Sequence, residues 1–419
     1  MRIAVVGSGI AGLSAAWRLW REHEVVLFEA DARLGGHTHT HEVEQSGRRY
    51  RVDSGFIVHN AHNYPHLTAL FGELGVASRD TTMSFSAQVE ATGLEYNATT
   101  LDTLFCQRRN LLSPRFIRMV REILRFYREA GTLLKDPGPG PSLGDYLEAN
   151  RYSDLFRDAH LVPMASALWS SPSATILDFP ARYLVAFMDH HRMLQVEGRP
   201  QWRTVVGGSS SYVEAMAARW RVDVRLACPV RRVTRDATGA TIEHVAGSDR
   251  FDAVVMATHS DQALALLGDA DALEREVLGA IPYQRNDVVL HTDRRLLPRH
   301  PKAWAAWNAF VPADPGAECS VSYCMNLLLG LVSRVPFGVT LTRTDAIDPG
   351  RIVARMTYHH PVYTHASVAA QSRRGEIDGR RRTWFAGAYW GFGFHEDGIK
   401  AGVEAAQGVT ALARGDAAA

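Results

Sequence analysis

An α/β fold organised on a parallel sheet is predicted by three features of the sequence. The chain opens on a β-branched strand that runs into a glycine-spaced turn and an apolar helix, a second strand comes next and ends in an acid, and strands alternate with helices again between residues 202 and 258. Alternation of this kind makes neighbouring strands parallel, with helices as the crossovers. The opening strand is Met1-Arg-Ile-Ala-Val-Val6, the turn Gly7-Ser-Gly9-Ile10-Ala11-Gly12, and the helix Leu13–Trp20. Gly7 permits the tight turn, Gly9 lets backbone N–H groups approach a pyrophosphate, and Gly12 lets helix pack on strand. Phosphates then meet the positive end of the helix, where Ile10 and Ala11 sit. The second strand, Glu24-Val-Val-Leu-Phe-Glu29, places Glu29 against a ribose hydroxyl pair and favours an unphosphorylated adenosine ribose. Strand, turn, helix, strand and terminal acid in register predict a bound dinucleotide.

The chain after Glu29 carries more than a nicotinamide domain needs. Ala30-Asp-Ala-Arg33-Leu-Gly35-Gly36-His37 leads through a strand to Tyr50-Arg-Val-Asp53-Ser-Gly55-Phe56. This second Gly-Gly turn resembles the DxxxRxGG extension of the superfamily of flavin-containing amine oxidases, protoporphyrinogen oxidases and phytoene desaturases. A third block, Thr383-Trp-Phe-Ala-Gly387-Ala388-Tyr389-Trp390-Gly-Phe392-Gly-Phe394-His395-Glu396-Asp397-Gly398, continued by a helical run from Ile399 to about Leu412, is similar to the terminal flavin block of that superfamily. The resemblance implies FAD, extended along the first domain over Ala30, Arg33, Gly35, Gly36 and His37. It implies adenine beside Val230, phosphates near Thr258, and the ribityl chain and pyrimidine edge at Gly387, Ala388, Gly398 and Ile399. A helix N-terminus would face the flavin where negative charge develops on reduction. His37 stands where the Gly-Gly-Arg version of the motif has a phosphate-binding arginine. Two departures accompany these matches. Ala388 replaces the usual acid, leaving ribityl contact to the backbone, Glu396 or Asp397. The strand Arg285-Asn286-Asp287-Val-Val-Leu-His291 carries no lysine where amine oxidases commonly place one, and Lys302 lies in a loop.

Val52-Asp-Ser-Gly-Phe-Ile-Val58, Cys106-Gln-Arg-Arg-Asn-Leu-Leu112, Pro163-Met-Ala-Ser-Ala-Leu-Trp169-Ser and Pro200-Gln-Trp-Arg-Thr-Val-Val-Gly207-Gly208, together with the terminal block, narrow the likeness. They resemble the FAD-binding proteins of bacterial cyclopropane fatty-acid synthase gene clusters and the flavin domain of plant cyclopropane synthases. That resemblance implies a fatty acyl desaturase-like oxidoreductase of membrane lipids. Its reaction would be desaturation of a methylated or unsaturated acyl chain on the way to furan fatty acids, with a cyclopropane synthase-type methyltransferase as partner.

Length and composition agree with two interleaved domains. The 419 residues, 46% of them hydrophobic, can bury a large core. The expected FAD-binding domain is discontinuous, 1–80, 201–270 and 376–419. An α+β substrate domain would be formed by 81–200, mainly helical, and 271–375, richer in strands. Pro137-Gly-Pro-Gly-Pro141 reads as a surface turn. No export signal or apolar run of about 18 residues is evident, so a cytoplasmic location is expected, with peripheral contact on the inner face of the membrane. A net charge of +1 gives no steering toward nucleic acid. Cys106, Cys228, Cys319 and Cys324 are too scattered for a disulfide framework. From Pro114, arginines at 115, 118, 121, 125 and 128 share one helix side, opposite Phe116, Met119, Val120, Ile123, Leu124 and Tyr127. That helix suits either an anionic lipid interface or a core with a solvated arginine face.

Flavin carries the redox chemistry, so hydride abstraction needs no side-chain base. His395 is the candidate for proton transfer on the strength of its ordinary pKa, with a helix-capping role as the alternative. Tyr389, Trp390, Phe392 and Phe394 either line the face opposite the flavin or pack in a core. His37, His39 and His41 alternate on an expected strand, and a cofactor loop accounts for them better than a metal does. His190-His191 and His359-His360 read as surface pairs. No residue stands out as a covalent flavin tether. The rival readings are an acyl double-bond isomerase, an amine oxidase, which the missing lysine disfavours, and a non-catalytic FAD-binding partner of a synthase.

Overall fold

The computed structural model describes residues 1–314 and 317–418. A five-stranded parallel sheet runs in the order Asp223–Arg225, Glu24–Phe28, Arg2–Val6, Ala253–Met256, Thr383–Phe385. Its central strand is apolar on both sides because both faces are covered. On one face Ile3, Val5 and Val255 pack against the helices Ile10–Leu19, Pro65–Leu74 and His395–Ala418. On the other, Ala4, Val6, Val26 and Phe28 meet a three-stranded antiparallel sheet, Val230–Arg235, Ala240–His244 and Gly247–Phe251, and the helices Ser260–Leu266 and Ala272–Gly279. The last helix crosses the first at small residues. A Cβ on Gly402 would lie 2.1 Å from the Ala11 carbonyl oxygen, and the Ser14 hydroxyl donates to the carbonyls of Ala11 and Ile399.

A seven-stranded mixed sheet stands apart from the parallel one, in the order Ile352–Pro361, Tyr283–His291, Gly338–Leu341, Ser320–Cys324, Trp307–Val311, Phe85–Val89, Leu94–Asn97. All its pairs are antiparallel except Trp307–Val311 with Phe85–Val89. A helical layer, including Pro114–Glu129, Val162–Trp169 and Ala181–His190, packs about Phe116, Phe126, Phe156 and Phe187.

The expected secondary structure needs local revision. Within the alternating stretch 202–258 the helix spans Ser210–Ala217 and the next strand is short, Asp223–Arg225. His37 precedes the strand Thr40–Gln45 rather than alternating along it. Its ring faces Tyr358 and His360, while the rings of His39 and His41 sit 3.9 Å apart as a separate pair. No group of three metal-ligating side chains occurs among the described residues.

Candidate active site

One cavity of about 1960 Å³ runs from the ends of the parallel strands into the helical layer. Ordinary ligand pockets hold about 300–1,000 Å³, so this one has room for a large cofactor and a substrate together. At the sheet end it is lined by Gly7, Gly9, Ile10, Ala11, Glu29, Ala30, Arg33, Gly35, Gly36, His37, Val230, Thr258, Gly387, Ala388 and Gly398. These residues come from segments almost 400 positions apart and meet around one space.

The turn has the shape that a phosphate cradle requires. Gly7 has φ +103°, and a Cβ there would sit 2.7 Å from the Ala257 carbonyl oxygen. Gly9 meets nothing within 4 Å, because the space before it is the cavity itself. The helix Ile10–Leu19 starts at Gly9 with no side-chain cap, so its first N–H groups remain available to an anion. Glu29 is fixed at its strand end, accepting from the Ser8 N–H (2.9 Å), the Ser8 hydroxyl and the Asp31 N–H (2.9 Å). Three of its about four acceptor positions are thus used, which leaves one for a ribose hydroxyl rather than two. Arg33 spends its guanidinium on its own loop, donating to the carbonyls of Leu34, Gly36 and Thr38. The His37 Nε2 is buried without a protein partner among the described residues. Burial and the neighbouring His360 and His259 hold the His37 pKa well below the usual imidazole range, so His37 meets a ligand as a neutral donor or acceptor.

Two site expectations do not match the geometry. Ile399 lies behind the cavity wall, 1% exposed in the core. Gly12 also shapes the wall from behind, in the packing role expected of it, since a Cβ there would be 1.9 Å from the Gly7 oxygen. Trp390 donates to the Phe385 carbonyl (2.8 Å) and packs between the two layers flanking the parallel sheet, away from the cavity. Tyr389 does line the space. Glu396 and Asp397 are committed elsewhere. Glu396 accepts from the N–H groups of His66 and Leu67, capping Pro65–Leu74, and Asp397 accepts from the Phe394 N–H.

His395 lines the cavity but is no proton store. Its Nε2 lies 2.9 Å from the Tyr212 hydroxyl and 3.3 Å from that of Thr38, and its ring stacks on Phe56 with centroids 3.8 Å apart. Burial lowers its pKa to about 3, which overturns the expectation based on an ordinary imidazole. His395 orients by hydrogen bonding. Of its partners, Phe56 lies in the Val52–Val58 string without a role being legible there, and no local motif marks Tyr212 or Thr38.

Other histidines also move inward. His360 lines the cavity, with its Nδ1 2.9 Å from the Asn286 amide nitrogen, and His259 stacks on Tyr283 at 4.6 Å. The signal for His360 was present. Met356, Tyr358 and His360 alternate along Ile352–Pro361, and that face is inward. His191 is likewise buried against Phe187 at 4.0 Å, and only its neighbour His190 is exposed.

Beyond the flavin block the cavity is largely apolar, with neutral polar residues such as Thr81, Ser84, Thr100 and Gln201 and one cation, Arg199, among its lining. Its walls include Phe85, Met164, Trp169, Phe187, Trp307 and Leu341, and Val120, Ile123, Leu124 and Tyr127 of the Pro114–Glu129 helix reach into it. That helix therefore does not present its apolar face outward, since Phe116, Met119, Ile123 and Phe126 are core. No lysine lines the cavity, and its acids, Glu29 and Asp31, lie at the cofactor end. Lys302 is exposed and pairs with Asp102 at 2.8 Å.

Buried imidazoles also predict acid sensitivity. His160 and His291 are 2% and 1% exposed, and burial lowers their pKa values to about 3 and about 4. Folded pKa values below the unfolded 6.5 give stability that is complete above that pH and is lost as pH falls. Each contributes a slope of about 1.4 kcal/mol per pH unit. Asp53, which burial raises to about 6, acts oppositely, its penalty being relieved below pH 6. Lowered imidazoles outnumber such acids, so the melting temperature should drop from pH 6.5 to 5. A flat profile by differential scanning fluorimetry would contradict this.

Fold and cavity together define a two-domain FAD-binding α/β protein. The family model "Flavin containing amine oxidoreductase" matches residues 10–313, and the chain belongs to that family. A Mycobacterium tuberculosis protein named as a flavin-containing monoamine oxidase, AofH, is 28% identical over 270 residues. The match covers 61% of this chain and 56% of that one, so the chain spans little more than half the length of the curated relative it matches. Among solved structures, cyclohexylamine oxidase from Brevibacterium oxydans superposes with a TM-score of 0.71 at 16% identity, covering 99% of each chain. A CLA-producing fatty acid isomerase from P. acnes superposes with a TM-score of 0.60 at 17% identity, covering 96% of this chain and 97% of that one. Among the described residues no helix is long and apolar enough to cross a membrane.

Proposed function

We propose that this flavoprotein oxidises a long acyl chain, desaturating a methylated or unsaturated fatty acyl group of membrane lipid. One observation carries the reading: the substrate arm of the cavity is largely apolar and aromatic, its one charged lining residue is the cation Arg199, and neither a lysine nor a carboxylate lines it. An alkylammonium substrate would lose its hydration there without an anion to replace it, whereas a hydrocarbon chain loses only unfavourable contact with water. FAD, when bound, supplies the hydride acceptor. The protein's own residues hold its phosphates at Gly7–Ala11, exclude water with Trp169, Phe187 and Trp202, and fix the wall at Tyr389 and His395. Desaturation gives a hydride to the flavin and a proton from the adjacent carbon to a neutral imidazole of the cavity wall such as His360, and the two electrons pass on to an external acceptor such as dioxygen or a quinone. A methyl-branched or allylic carbon is the favoured donor because it stabilises developing positive charge. A partnership with a cyclopropane synthase-type methyltransferase, which would supply the methylated chain, belongs to the same proposal.

Isomerisation of an acyl double bond is the second reading. The shared fold with a protein titled a fatty acid isomerase is compatible with it, and the same apolar arm serves a hydride that is returned. The test is the anaerobic visible spectrum of holoenzyme with detergent-dispersed lipid, taken from a strain lacking this gene and from one also lacking the fatty-acid methylase. Bleaching with the first lipid alone supports desaturation of a methylated chain. A product of unchanged mass without bleaching supports isomerisation, and bleaching by simple amines but no lipid refutes the acyl reading.

A further inference from the structure

The apolar arm of the cavity opens where residues that line it are also exposed to solvent. Leu101, Leu124 and Val196 are 75%, 49% and 67% exposed and all three line the cavity. Three large aliphatic side chains around one opening are costly in water and suit a nonpolar neighbour. The surrounding charge indicates which neighbour. Leu124 lies on one strip of its helix between Arg121 and Arg128, at spacings of three and four. Arg199, exposed beside Val196, lines the same mouth. Of the nearby acids, Asp102 is engaged by Arg108 and Lys302, and Glu129 by Arg125 and Arg128. Neither Arg121 nor Arg199 makes an ion pair among the described residues, which leaves both charges open to an anion.

We propose that this rim seats on an anionic phospholipid bilayer, with Leu101, Leu124 and Val196 entering the headgroup–acyl boundary and Arg121, Arg128 and Arg199 facing lipid phosphates. The inference rests on the acyl-chain reading and adds where the substrate enters: an acyl chain passes from leaflet to cavity without crossing water. The contact differs from an amphipathic helix lying in the interface, because the apolar face of Pro114–Glu129 is already buried. Leu111 and Leu112, in the turn before that helix, are 52% and 89% exposed and would extend the apolar contact.

The test is flotation of holoenzyme with vesicles of phosphatidylglycerol and phosphatidylcholine, and with phosphatidylcholine alone, at low salt. Binding is expected to the anionic vesicles only and to weaken with salt. Both R121E/R128E and L101D/V196D should lower it at least about tenfold, with flavin absorbance and melting temperature showing that each variant is folded. R121E/R128E should still be bleached by detergent-dispersed lipid, since neither arginine lines the cavity. Absence of flotation, or equal flotation of both variants, overturns the proposal. So does a concentration-dependent dimer that L101D/V196D makes monomeric, which would assign the rim to a second copy of the chain. Flotation needs no turnover, so vesicle binding with neither bleaching nor an isomerised product from any lipid would refute the acyl-chain reading, and bleaching in detergent without flotation would refute the membrane seat.

Discussion

Gly9→Val is expected to give a folded protein that purifies without flavin. A Cβ at residue 9 meets no protein atom within 4 Å and the backbone there is extended, with φ −64° and ψ 175°. The substitution therefore costs little in packing. The space it fills is the approach to the first N–H groups of Ile10–Leu19, which a pyrophosphate must reach. We expect FAD affinity to fall at least about a hundredfold, equivalent to about 2.7 kcal/mol, measured by the ratio of flavin to protein absorbance and by flavin titration of the apoprotein. Gly12→Ala makes the contrast. Its Cβ would lie 1.9 Å from the Gly7 carbonyl oxygen, a backbone atom that cannot step aside, so this variant should lose folding as well as flavin. A Gly9→Val protein with full flavin occupancy would show that the phosphates lie elsewhere.

Arg235→Ala should be the most damaging single substitution away from the cofactor. Arg235 donates through Nη1 and Nη2 to the two oxygens of Glu274 (2.6 and 2.8 Å) and through Nε to Asp269 (2.9 Å). The side chains of Arg235 and Glu274 are 0% and 1% exposed. Truncating one partner strands the other's charge in a medium that cannot solvate it, at a cost of about 3–5 kcal/mol. The pair ties the antiparallel sheet to the helix Ala272–Gly279, so the loss should appear as a lower urea midpoint for the whole domain. Replacing both residues, as in R235M/E274L, should recover most of that loss, because an apolar pair carries no desolvation penalty. If the double variant is as unstable as the single one, shape rather than charge is what the pair contributes.

The parts of the site that could be read from the sequence are those where backbone geometry demands a residue type. Gly7, Gly9 and Gly12 are set by φ, by open space and by a 1.9 Å approach, constraints that leave a spacing in the chain. The environment of a side chain leaves no such trace. His395 carries an ordinary imidazole in the sequence, and its lowered pKa arises from burial against Phe56 and Tyr212, which lie 339 and 183 positions away. Trp390 and Tyr389 are adjacent in a flavin-like block, yet a short 3₁₀ turn, Ala388–Trp390, sends one to the Phe385 carbonyl and the other to the cavity. The arginine stripe of Pro114–Glu129 was visible as a period, but a period does not say whether lipid or protein covers the opposite face.

The parallel sheet has a temporal consequence. Its edge strand Thr383–Phe385 pairs with Ala253–Met256, and the helix behind it packs on the opening helix through contacts such as Ser14 with Ile399, 385 positions apart. Until residues 383–418 are in place, Ile10–Leu19 and Pro65–Leu74 cover only part of one face of the central strands. Contacts of such separation close slowly and expose apolar surface meanwhile. The cofactor site therefore comes into being only when this segment has docked on the first one.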